Sequence, residues 1–393
     1  MMNQSIVRVL SALVIAYSTT STWAALSEAR FIPLGDFPGG EFGSEALDVS
    51  ADGSIVVGTG ISSFPAPGVA GAYGFEAFRW TMTGGMQGLG TELSVRGTLG
   101  SAIAGDGSRI VGLIGDAYPA RSVFSWSPGE SMQRLSGCSC VGLDDAEAVS
   151  YDGSVVVGRM ALPHSYHAYR WTSAAGAIDL GVLSGGNESA AYAVSRDGSV
   201  VVGASATARF SQAFRWTEEQ GMVLLGSGSN RGSSSAYAMS SDASVIVGEL
   251  ESQAVRWTID GNTIQTQILG DLTGGTPHGY ARGISADGRV IVGSYSAAGG
   301  FEGFLWTQEL GMRSLSELLV ALGVDLRGYK NLNARNVSAD GTMVVGTGTN
   351  PAGKREGFVA IIPTNSIPEP SSFILLLFPA ALLGGHRIRR HGT

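Results

Sequence analysis

Apolar and polar positions follow one pattern that returns seven times along the chain. Each copy is shaped like AxxVSxDGSxVVG, at residues 46–58, 100–112, 146–158, 191–203, 236–248, 281–293 and 334–346. Around each copy lie short runs rich in Val, Thr and aromatic residues, bounded by Gly or Asp, which is the signature of strands separated by tight turns. In the fourth unit these runs predict strands over Tyr192–Ser195, Val200–Ala204, Gln212–Thr217 and Met222–Leu225. A four-stranded meander repeating every 45 or so residues has the period of a propeller blade.

Within the repeat, Ser-x-Asp-Gly predicts a hairpin in which Ser caps, Asp bonds back to the backbone and Gly takes positive φ. The Asp occurs in every copy, as Asp52, Asp106, Asp152, Asp197, Asp242, Asp287 and Asp340, and Gly follows in all but one, where Ala243 stands. The glycines after the Val pairs, and pairs such as Gly58 with Gly60 or Gly346 with Gly348, read as further turns. The third strand carries Trp80, Trp126, Trp171, Trp216, Trp257 or Trp306, on the same face as an aromatic or apolar residue two positions earlier. Identical placement predicts blade-to-blade packing for these indoles, not an exposed sugar platform. The Arg before the Trp in four units (Arg79, Arg170, Arg215, Arg256) reads as an inter-blade clamp, since Asp106 and Asp287 persist where Ser125 and Leu305 replace it.

The seventh unit has no fourth strand, while Phe31–Leu34 in FIPLGDFPGG matches the fourth-strand segment AIDLGVLSGG at 177–186. An orphan strand at one end and an incomplete unit at the other predict ring closure by a shared blade, which removes exposed sheet edges. The expected fold is all-β: a seven-bladed β-propeller of four-stranded antiparallel blades, closed by an N-terminal strand. Two segments interrupt the period. SLSELLVALGVDLRGYKNLN, 314–333, predicts a short helix capped by Ser314 and Glu317 and stopped at Gly323, lining one mouth of the channel; 59–75, with Pro65 and Pro67, predicts a long loop. Insertions in repeat proteins collect on binding faces, so these two are the expected contact surface.

The ends do not belong to the ring. Residues 1–24 have Arg8, an apolar run from Val9 to Tyr17 and a small-residue exit at Ala24, which predicts a secretory signal peptide. The propeller is expected over 25–365 and a sorting or anchor tail over 366–393. In that tail Pro368-Glu369-Pro370 precedes an apolar run from Phe373 to Leu383 and the cluster Arg387, Arg389, Arg390. This predicts a hydrophobic helix too short to span an average bilayer alone, held at the cytoplasmic side by its arginines.

Charge narrows the partners. Residues 25–370 carry 21 Lys and Arg against 33 Asp and Glu, a formal charge of −12 with only two lysines. Such a body is a poor match for nucleic acid. Cys138 and Cys140 sit one residue apart in the link between the second and third repeats, open to oxidation in an exported protein but strained as a bridge, and without a second pair to complete a zinc site.

The PEP tripeptide, apolar segment and terminal arginines resemble the PEP-CTERM sorting tail of Gram-negative bacteria. That resemblance implies recognition by an exosortase, an integral-membrane transpeptidase, and removal of the tail near Pro368-Glu369-Pro370. The repeats resemble the HAF family of probable extracellular repeats, whose tripeptide has its nearest form here in His167-Ala168-Tyr169. It implies export and names no reaction.

No nucleophile elbow, phosphate loop, zincin helix or calcium loop appears. His164 and His167 read as solvated, His278 stands alone, and His386 and His391 fall in the tail. No catalytic residue, cofactor or metal is assigned. The expected protein is an exported, non-enzymatic, monomeric ring at the cell surface or in the exopolysaccharide matrix, binding glycan or protein. The alternative is a secreted carbohydrate-active hydrolase or lyase, marked by unlike acidic or His residues converging at a channel mouth.

Overall fold

The computed structural model describes residues 28–65, 73–90, 97–115, 122–135, 143–207, 209–226, 232–272, 278–297 and 300–363. They form seven four-stranded antiparallel sheets arranged as the blades of a propeller. The fourth blade is typical, with strands Gly186–Val194, Val200–Thr207, Ser211–Thr217 and Gly221–Leu224 in sequential order. The first strand of every blade lies next to the first strands of its two neighbours, so these inner strands surround a central channel.

Closure follows the sequence pattern. The seventh blade takes its three inner strands, Lys330–Val337, Met343–Thr349 and Arg355–Ile361, from the C-terminal side and its outer strand, Arg30–Pro33, from the N-terminal side. Arg30 pairs with Ile361 and Pro33 with Phe358, and Leu34 N–H donates to Gly357 O at 2.9 Å. The chain therefore enters and leaves the ring at adjacent points.

The core is divided among the seams between blades. Seven apolar clusters occupy the seven seams of the described residues, each joining the Val and Ala face of one blade to the aromatic face of the next. Val200 and Val202 of the fourth blade, for example, meet Trp257 of the fifth. Trp80, Trp171, Trp257 and Trp306 are buried, and Trp126 and Trp216 pack partly buried against their clusters. Buried hydroxyls staple four of these seams: Ser189 Oγ accepts from Ala168 N–H at 2.8 Å and donates to Gly181 O at 2.6 Å, and Ser44, Thr98 and Ser234 occupy equivalent positions.

Each Asp hairpin is built from local hydrogen bonds. Asp197 Oδ1 accepts from Ser195 Oγ, Ser199 N–H and Ser199 Oγ at 2.6–3.0 Å, and Gly198 sits at φ +74°. Ala243 adopts φ +55°, and its methyl lies in the seam cluster with Val200, so burial offsets the left-handed strain. Asp106 follows Ala104 instead of Ser, so it lacks that hydroxyl donor and, among the described residues, accepts from Ser108 N–H. Asp197→Ala is accordingly expected to cost about 1–2 kcal/mol and Asp106→Ala distinctly less; urea unfolding of the two variants checks the order. Main-chain bonds at or next to the residue between Ser and Asp tie neighbouring hairpins at six of the seven seams: Ala51 N–H donates to Gly105 O, Asp106 to Tyr151 O, Tyr151 to Arg196 O, Ser241 to Ala286 O, Ala286 to Ala339 O, and Ala339 back to Ala51 O, at 2.9–3.3 Å; among the described residues none joins the Arg196 and Ser241 hairpins.

The glycine after each Val pair is not a turn residue. All seven lie inside second strands, Gly58–Thr59–Gly60 and Gly346–Thr347–Gly348 included. Opposite each one the inner strand is bulged: pairing steps from Ala46 to Asp48 across Gly58, and the same step recurs in every blade. A bulge bends its strand and sharpens the local twist. A Cβ on Gly58 would lie 1.9 Å from Glu45 O, and one on Gly203 would lie 2.0 Å from Ala190 O and 2.9 Å from the Phe214 ring. The glycine is required by close approach.

The two interruptions also differ from expectation. The second strand of the first blade continues through Pro65 and the third begins at Tyr73, so most of the expected 59–75 loop is strand and its tip, with Pro67, lies outside the described residues. The helix forms over Leu315–Ala321, with Ser314 Oγ accepting from Glu317 N–H at 3.3 Å and Gly323 at φ +82°. It does not line the channel. Leu315, Leu318 and Leu319 bury into the seam between the sixth and seventh blades, because their apolar face completes the cluster around Phe31, Leu305 and Phe358.

Candidate functional site in the central channel

Seven bulges aim seven side chains at the axis. The extra residue of each is Leu47, Ser101, Glu147, Tyr192, Tyr237, Arg282 or Arg335, and all seven line a channel cavity of about 380 Å³ on the hairpin side of the ring. These are the least uniform positions of the repeat. The next residue is Ala in four blades and Gly283 in one, but Asp48 and Asn336 in the blades flanking the closure seam. A second cavity of about 830 Å³ opens on the opposite face, lined by Phe42, Phe75, Leu99 and Leu113, and shares Leu47, Ser101 and Glu147 with the first.

The channel wall is electrically divided. Acidic groups come from the first and third blades. Asp145 faces Arg159 at 3.7 Å and also hydrogen-bonds Glu147. Glu147 is open to the channel cavity, yet protein surrounds it. Enclosure and the Asp145 carboxylate hold it well above the usual carboxylate range, against the pull of Arg282 and Arg159. Basic and aromatic groups come from the fourth to seventh blades. The Tyr192 and Tyr237 rings lie 5.4 Å apart, and the Arg282 guanidinium lies 4.2 Å from the centre of Tyr237 and 4.7 Å from that of Tyr280. At the hairpin mouth Arg196 stacks 3.4 Å over Tyr151.

Asp48 joins three blades. Its carboxylate accepts from Val49 N–H and, at 2.8 Å, from Ile103 N–H of the second blade, and Asn336 of the seventh donates to it. Burial raises it from 3.8 to about 6, the three donors opposing. The folded state therefore binds this proton more tightly than the unfolded chain does, so the contribution is greatest below about pH 4 and declines as pH rises to about 6. Asp152 has the opposite sign: Ser154 N–H and the Ser154 and Ser150 hydroxyls hold it down to about 2, so its contribution is present above about pH 4 and lost below. Asp48→Asn is expected to flatten the fall in stability between about pH 4 and 6, removing about 1–3 kcal/mol of slope. Urea midpoints measured across that interval check it.

The remaining expected site residues lie elsewhere. All seven hairpin aspartates sit in their turns, away from the bulge-directed wall. Arg170 Nε donates to Gly198 O of the next blade at 3.0 Å and Arg256 stacks 5.7 Å over Trp306 of the next blade, whereas Arg215 bonds Gln220 of its own blade. His164 is exposed, but His167 is not free in solvent: its Nδ1 meets Asp179 at 2.9 Å on the outer strand. Cys138, Cys140, the signal segment and the tail residues Pro368, Glu369, Pro370, Arg387, Arg389 and Arg390 lie outside the described residues. Among the described residues no three His, Cys, Asp or Glu converge to hold a metal, and no helix is long and apolar enough to cross a membrane.

No family model and no curated protein matches the chain. Solved structures do. An oligogalacturonate lyase in complex with manganese aligns over 82% of this chain and 89% of its own at 11% identity and a TM-score of 0.52. Another, from Vibrio parahaemolyticus, aligns over 82% and 90% at 10% identity and 0.54. TolB from Acinetobacter baumannii aligns over 66% of this chain and 62% of its own at 13% identity and 0.44. What this chain shares with the lyases is a fold. At such identities chemistry does not transfer with it.

Proposed function

We propose that this protein is an exported, non-enzymatic propeller whose channel binds a glycan or protein partner at the cell surface or in an exopolysaccharide matrix. The observation that carries the reading is the contrast within the repeat: conserved positions build hairpins and seams, while the bulges deliver seven largely unlike side chains to one channel. A scaffold needs no such variety; recognition does. Export and exosortase sorting rest on residues 1–24 and on the Pro368-Glu369-Pro370 tail. Because the ring begins and ends at paired residues, leader and tail would both act at one point on the seventh blade.

The test has two arms: binding of the purified protein to the producer's own polysaccharide and surface proteins, and localisation after deletion of 366–393. Binding to neither, with unchanged localisation, sinks the reading. The lyase or hydrolase alternative draws on the Asp145 and Glu147 carboxyls, with Arg159 on Asp145 and Arg282 acting on Glu147. These carboxyls hydrogen-bond each other, much closer than the about 5–10 Å separations of glycoside hydrolases. New unsaturated or reducing ends in acidic polysaccharide incubated with the protein would favour that alternative.

A further inference from the structure

Two channel arginines make no contact ion pair among the described residues, Glu147 and Glu45 attracting Arg282 and Arg335 from longer range. Arg159 has Asp145 at 3.7 Å and Arg355 has Glu45 at 2.9 Å. Arg282 and Arg335 make no ion pair or hydrogen bond among the described residues, and the Nε of each is buried without a partner. They come from adjacent inner strands and are close enough that burial and the Arg282 charge together hold Arg335 below its ordinary value. Arg282 is braced by ring stacking alone, which leaves the edge of its guanidinium free to donate.

We propose that the wall formed by Tyr192, Tyr237, Arg282 and Arg335 binds a carboxylate-bearing sugar, its ring against the tyrosines and its carboxylate on the arginines. The inference rests on the binding role above and names its ligand class. Guanidinium groups match carboxylate or phosphate bidentately, so charge decides between them. Asp48 lines the same cavity and Asp145 lies beside Glu147, and the field of these two carboxylates opposes a phosphate dianion more than a single carboxylate. The paired tyrosines offer flat apolar faces with polar tips for a sugar ring. Ser101, Asn336 and Glu147, which keeps its proton to higher pH than an ordinary carboxyl, supply hydroxyl partners across the channel. A cavity of about 380 Å³ falls in the range of small-ligand sites.

The test is calorimetric titration of the full-length protein with tri-galacturonic acid, its methyl ester and inorganic phosphate. The acid is expected to bind at least about tenfold more tightly than the ester, and Arg282→Gln or Arg335→Gln to weaken it about tenfold or more. Ser101→Glu, which adds a channel carboxylate while removing no packed side chain, is expected to do the same and guards against misfolding of the arginine variants. Equal binding of acid and ester, displacement by equimolar phosphate, or no binding of the acid overturns the inference. Retained binding of the producer's polysaccharide in any of those cases leaves the broader role standing.

Discussion

Gly203→Ala is expected to lower stability by about 4 kcal/mol or more, leaving little of the margin of about 5–15 kcal/mol typical of folded proteins. A Cβ there would lie 2.0 Å from Ala190 O, so either the inner strand withdraws from its bulge or the second strand leaves the ladder. The new methyl also meets the Phe214 ring, which forms part of the seam between the third and fourth blades. Overpacking at a backbone contact cannot be relieved by a change of rotamer. Gly221→Ala is the control: φ is +65° with nothing within 4 Å of the added Cβ, so backbone strain alone acts, about 1 kcal/mol. Urea midpoints that fall equally for the two variants would remove the close-approach account.

Phe31→Ala is the second large effect. Phe31 belongs to the borrowed strand, is buried, and packs its ring 5.3 Å from Phe358 and 5.1 Å from Tyr329. Truncating a buried Phe costs about 3–5 kcal/mol. Here the loss falls on a strand of four residues that joins the two ends of the ring. Amide exchange is expected to rise first at Phe358, Val359 and Ala360, before any other blade responds. Val223→Ala, on the half-exposed outer strand of the fourth blade, is expected to change stability by less than about 0.5 kcal/mol. Exchange rising uniformly round the ring in Phe31→Ala would show that closure is not the weak seam.

Blade number, strand order and the borrowed strand were legible in the sequence because the pattern states them repeatedly and the match between 31–34 and the fourth strands is direct. The hairpin aspartates were legible because their bonds are local. Seam glycines were not: Gly203 has an ordinary strand conformation, and its necessity comes from Ala190, whose carbonyl the bulge brings near. The channel wall escaped for a related reason. Its residues stand at the variable positions after the motif's first residue, where variation reads as permissiveness, whereas the insertions at 59–75 and 314–333 stand out from the repeat. A bulge recurring in register with five residue types at its seven copies is a signal that the copies do contain. His167 was misjudged because its partner, Asp179, lies on the next strand.

The backbone hydrogen bonds that pass from hairpin to hairpin around the mouth act as a hoop open at one seam. They run circumferentially from Ser241 through Ala286, Ala339, Ala51 and Gly105 to Asp106, Tyr151 and Arg196, with no such bond among the described residues between the Arg196 and Ser241 hairpins, so outward displacement of a blade within the arc loads its neighbours in series. Widening this mouth by a single blade's movement therefore means rupturing main-chain bonds while leaving their partners unpaired. The rim is held along this arc and can part without breaking such a bond where the fourth blade meets the fifth, so any yielding of the aperture is expected at that seam.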